Sequence, residues 1–150
     1  MKNNRFTMLL IAVLVIVAAL AATLHLSTRV TADEDCILVE IQGNTTNVSL
    51  SGLPYQAVQG SLVNGKGETR EINAQGISLS ALLDKAGITE YTTVSVVADD
   101  SYAVDVTAEE VAESGKVFLV IAENELPELV VFGDSNSKRN VSGVVRLVIV

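Results

Sequence analysis

The residues best suited to chemistry crowd into "VVADDSYAVDV" (96–106), where Asp99, Asp100 and Asp105 surround Tyr102 between two valine-rich runs. Carboxylates in such number could offer oxygens to a hard cation such as calcium, and "GDSNS" (133–137) is a second oxygen-rich stretch. Neither has the spaced ligands and closing glutamate of a dedicated calcium loop. Short polar side chains also satisfy backbone groups in a tight turn. We therefore read Asp99-Asp100-Ser101 as the turn between two strands and expect no metal site there.

Other chemistries are short of residues. The single histidine, His25, lies at the end of an apolar leader, so the domain beyond it can form neither a Ser-His-Asp nor a Cys-His arrangement and cannot build a zinc site. Gly65-Lys66-Gly67 is too short for a phosphate-cradling loop. The single cysteine, Cys36, opens the apolar run "CILVEI" and reads as a small residue of a first strand. No internal disulfide can form. No catalytic residue is expected on residue types alone.

The address is more legible. Lys2 and Arg5 precede Phe6–Leu26, whose only polar residues are Thr7, Thr23 and His25. That length of helix can just span a bilayer core of about 30 Å, with the basic end in the cytoplasm. We expect residues 1–26 to be a signal anchor or signal peptide, 27–35 a polar tether and 36–150 a domain outside the cytoplasm, membrane-bound or, if the leader is cleaved, secreted. Residues 33–150 carry seven basic and 18 acidic side chains, a net charge of −11. Nucleic acid and anionic lipid surfaces are poor partners for such a domain, leaving the membrane through residues 6–26 and a protein as candidates. Three sequons, at Asn44, Asn47 and Asn140, are candidate glycosylation sites on an exported chain.

The elements that must position these residues read as strands with a few short helices. "CILVEIQG" is a strand, and "NTTNVSLSGLPYQAVQG" is expected to hold only a fragment of helix, broken at Gly52 and Pro54. Asn64-Gly65 is the dipeptide of a two-residue hairpin turn, pairing strands near 57–63 and 67–72. Leu79, Leu82, Leu83 and Ala86 give a helix of about two and a half turns capped by Ser78 and Gly87. "TTVSVVA" and "YAVDV" are strands, with Tyr102, Val104 and Val106 on one face of the second. Thr107 and Glu110 make a capping box, and Val106 and Val111 a hydrophobic staple. "KVFLVIA" is a central strand buried on both faces, and "VVRLVIV" is a final strand. Mixed order without regular βαβ alternation implies an α+β fold with a mixed sheet.

In their order, "QGISLSALLDKAGI" (75–88), "VSVVADDSYAVDVTAEEV" (94–111), "KVFLVIAENELPEL" (116–129) and "GVVRLVIV" (143–150) resemble the molybdopterin-binding domain of the sulfite-oxidase family. The resemblance covers about half of the chain. It implies that family's α+β fold and, in its enzymes, molybdopterin with a molybdenum-ligating cysteine about a dozen residues before the first motif. Here that region is "SLVNGKG", without cysteine, and the sequence runs to Val150 directly after the Arg-Leu-Val strand, where family enzymes go on to a basic segment. Ser101 and Glu125 stand where the family carries glycines. The resemblance marks Tyr102, Arg146 and Asp100 as candidate ligand-binding positions. We expect a tethered, non-catalytic binding or interaction module. The alternatives are a small molybdopterin oxidoreductase or electron-transfer subunit that uses Cys36 or a partner's ligands, and a structural surface protein.

Overall fold

The computed structural model describes residues 35–63, 66–122, 125–134 and 139–150, so the expected membrane segment at 6–26 lies outside them. Among the described residues no helix is long and apolar enough to cross a membrane. In chain order the strands are Cys36–Ile41 (β1), Asn44–Ser49 (β2), Gln56–Val63 (β3), Thr69–Ser78 (β4), Thr93–Ala98 (β5), Ala103–Thr107 (β6), Val117–Val120 (β7), Glu128–Val131 (β8) and Val144–Ile149 (β9). Two short helices, Leu79–Lys85 (α1) and Ala108–Ala112 (α2), follow β4 and β6. The class is α+β, but the strands form two sheets rather than the single one expected. One is mixed, in the order β2-β1-β9-β5-β6 with β1 and β9 parallel, and the other is antiparallel, in the order β3-β4-β7-β8.

The division follows from which strands are apolar on which face. Alternate residues of the five-stranded sheet (Ile37, Val39, Val94, Val96, Val106, Leu147) share one core with Ile77, Val117, Leu119, Leu129 and Val131 of the four-stranded sheet. Leu79, Leu82 and Leu83 of α1 and Val111 of α2 join them. Burying each such leucine contributes about 1.5–3 kcal/mol. The other face of β7, Phe118 and Val120, joins Val58, Leu62 and Val130 in a second, smaller cluster. A strand apolar on both sides therefore has a core on each.

A close approach covers that second cluster. Only Gly76–Ser78 of the long β4 pair with β7, so the rest of the β3–β4 hairpin is free to fold back over β7 and β8. Gly60 of β3 meets Phe132, just past β8, so tightly that a Cβ there would sit 2.5 Å from the ring. Phe132 packs edge-on against Phe118, with ring centroids 6.0 Å apart. Arg70 of the hairpin pairs with Glu128 of β8 and fastens the fold-back.

Two local expectations are overturned. Residues 44–49 are a strand, not part of a helical fragment: Gln42 (φ 50°) and Gly43 (φ 80°) form a two-residue turn of the type that matches strand twist, and β2 returns in register along β1. Asn64 and Gly65 lie outside the described residues, but Val63 pairs with Thr69, so five residues separate the strands rather than two. A two-residue connection would set Glu71 opposite Val58, whereas the observed register sets Ala74 there and Ile72 opposite Gly60, both packed against the second cluster. Burial of the apolar face outweighs the turn dipeptide. Helix α1 is shorter than expected at seven residues, capped by Ser78, whose side chain accepts from the Ala81 N–H.

Candidate functional site

The acidic stretch is the turn joining β5 to β6. Ser101 takes φ +71°, its N–H donates to the Ala98 carbonyl at 3.0 Å, and the Ala98 N–H donates to the Tyr102 carbonyl at 2.8 Å. Asp100 Oδ1 accepts from the Tyr102 N–H at 2.9 Å, which is what a short carboxylate does in a turn. Asp99 N–H donates to the Gly143 carbonyl at 2.9 Å, and a Cβ on Gly143 (φ +75°) would lie 2.8 Å from Asp99 Oδ1. The Asp100 carboxylate therefore serves the turn backbone, and the Asp99 carboxylate lies against Gly143. Tyr102 precedes β6 and is exposed, so it does not share the buried face of Val104 and Val106 as the alternation implied.

The sheet brings the expected residues to one end. Arg146 of β9 lies between Leu38 of β1 and Val97 of β5, with Ala103 of β6 next in the row, on the face turned away from the main core. Cys36, half-buried, is two residues before Leu38 on that same face, and the 99–102 turn closes the same end. Arg146 Nη1 donates to Glu40 Oε2 at 3.3 Å, and its side chain is 44% exposed. The guanidinium is thus loosely held and reachable from solvent. Among the described residues no cluster of three or more His, Cys, Asp or Glu could hold a metal ion, and no polar or charged side chain is fully buried.

A tighter constellation lies on another side and was not foreseen. Arg139 Nη1 donates to Glu110 Oε1 at 2.8 Å and Asp134 Oδ2 at 3.0 Å, while Nη2 donates to Glu110 Oε2 at 2.7 Å and the Asp105 carbonyl at 3.0 Å. Glu110 also completes the expected capping box with Thr107. The hydrogen bond from Arg139, aided by the Thr107 N–H and outweighing partial burial, pulls the Glu110 carboxyl down to about 2. The capping box was readable from spacing; its arginine partner, 29 residues on in a polar loop, had no local signal.

The neighbouring residues complete a seal. Asn140 Oδ1 accepts from the Val131 N–H at 3.0 Å, and Val141 exchanges backbone hydrogen bonds with Leu129 at 2.7 and 3.1 Å. Arg139 thus takes a carbonyl of β6, the last strand of one sheet, while Asn140 and Val141 pair with β8, the last strand of the other. The sequon asparagines divide accordingly. Asn44 and Asn47 stand exposed on β2, whereas Asn140 is half-buried with its carboxamide engaged.

No protein-family model matches the chain, and no curated protein matches it either.

Proposed function

We propose that residues 36–150 are a binding or interaction module with a sulfite-oxidase-like molybdopterin-domain fold, held outside the cytoplasm by the apolar segment 6–26, and that the module does no catalysis on its own. The observation that carries the kinship is Ser101: where the family has glycine, this chain holds a left-handed φ of +71°, the conformation glycine adopts without strain. That turn is hydrogen-bonded to Gly143, the residue that opens the "GVVRLVIV" strand. Two of the four resembling segments therefore meet as neighbours.

The ligand-facing residues in this reading are Arg146, Tyr102 and Asp100 at the end of the larger sheet. Arg146 supplies the reachable positive charge and Tyr102 an exposed ring. Catalysis is left out because the stretch where the family carries its metal-binding cysteine, 61–67, holds none.

Purifying the full chain from a host that makes the molybdenum cofactor, with molybdenum content and pterin fluorescence measured together, tests the reading. We expect neither to accompany the protein. Stoichiometric molybdenum that disappears in Cys36→Ala would overturn the non-catalytic assignment and leave the oxidoreductase in its place.

A further inference from the structure

On the edge opposite the Arg139–Val141 seal, no strand among the described residues lies beyond β2. Strand β2 is the first strand of the five-stranded sheet, and residues 44–47 are exposed. Its hairpin with β1 fixes which backbone groups point outward. With Gln42 and Gly43 as the two turn residues, Ile41 and Asn44 are the hydrogen-bonded pair, and bonded and non-bonded pairs then alternate along the strands. The N–H and C=O groups of Thr45, Asn47 and Ser49 therefore face away from β1. At Ser49 the outward carbonyl is taken by Lys85 Nζ at 2.8 Å, which marks the limit of the open stretch.

Exposed edges ordinarily carry a lysine, a proline or a bulge that blocks pairing with another chain. Asn44–Ser49 carries none of these: its sequence is NTTNVS, and its register along β1 is unbroken. At the other edge strand, β3, the Phe132 ring packs against Gly60, which crowds an incoming strand there.

We infer that β2 pairs antiparallel with β2 of a second copy of this chain, about a two-fold axis through Thr46, so that the two five-stranded sheets continue into each other. In this register Thr45 of each copy lies opposite Asn47 of the other, and the outward N–H and C=O groups of both residues are mutually satisfied. Side chains match as well, since a threonine hydroxyl and a carboxamide are cross-strand hydrogen-bonding partners. Charge selects the place. Two copies of a domain with net charge −11 repel each other, and an uncharged strand is where they approach at least cost. The pairing rests on the edge alone and holds whether or not the domain binds a pterin.

The register makes the test specific. Thr46 of each copy forms a close, non-hydrogen-bonded pair with Cα atoms about 4.5 Å apart, within the disulfide range of about 4.4–6.8 Å. In the full chain, kept in detergent and carrying Cys36→Ser, Thr46→Cys is expected to give a disulfide-linked dimer under mild oxidation, and Thr45→Cys is expected not to. Asn47→Pro removes an outward N–H that no described strand of the same copy uses, and Asn47→Lys adds a charge; each is expected to abolish the Thr46→Cys crosslink while circular dichroism stays unchanged. A chain that never crosslinks through Thr46→Cys, leaving the edge to an extended segment of another protein or to glycans on Asn44 and Asn47, overturns the inference. So does a crosslink that survives both Asn47 substitutions.

Discussion

The two sides of the paired sheets are finished by opposite means. On the β6/β8 side three consecutive residues, Arg139, Asn140 and Val141, occupy backbone groups of both sheets, and a carboxylate cluster holds the arginine in place. On the β2 side polar, uncharged side chains leave the edge without a described strand of the same chain beyond it. The difference teaches that edge protection is not spread evenly over a fold but invested where one segment can serve two sheets at once. Stability should accordingly be sensitive to substitution on the sealed side and nearly indifferent to it on the open side.

The strongest way to break this contrast is Arg139→Ala. It removes the guanidinium that Glu110 and Asp134 share and frees the Asp105 carbonyl, with all three side chains less than a quarter exposed. A loss of about 2–3 kcal/mol in urea unfolding is expected. The same contact should be visible in acid. Because the folded state holds Glu110 at about 2 against an ordinary 4.5, its contribution is complete above pH 4.5 and is lost as the pH falls from there toward 2. Wild type should therefore lose about 2 kcal/mol more over that range than Glu110→Gln, after allowance for partial exposure. Equal pH profiles would show that the seal does not depend on this pair. Smallest is the asparagine comparison: Asn140→Ala strands the Val131 N–H and should cost about 1–2 kcal/mol, while Asn47→Ala on the open edge should change unfolding by less than about 0.5 kcal/mol.

What could be read in the sequence was what acts over a few residues. The Thr107–Glu110 capping box, the Ser78 cap and the doubly apolar strand at 117–120 all follow from spacing that the backbone itself enforces. The turn nature of Asp99-Asp100-Ser101 followed from the same kind of argument. The β1–β2 hairpin was not legible, because glutamine is an unusual residue at a positive φ and "QG" does not announce a turn as "NG" does. Asn64-Gly65 misled for the complementary reason: a good local turn signal yielded to the burial of Ile72 and Ala74. The sealing role of Arg139 and Asn140 depends on contacts across the fold, and the sequon at Asn140 drew the reading toward its surface chemistry instead. Of the candidate site, the sequence supplied the residues, but only the strand register showed that Cys36, Arg146 and the 99–102 turn share one end of one sheet.

The position of β9 carries a consequence for how the domain is made. It lies in the middle of the larger sheet, between β1 and β5, yet it is the last of the described strands to be synthesised. Until residues 144–149 emerge, the β1–β2 and β5–β6 hairpins have no strand to join them, and an isolated hairpin is marginal in water. Assembly of the larger sheet therefore waits until residues 144–149 have been made and depends on long-range pairing, which is intrinsically slow.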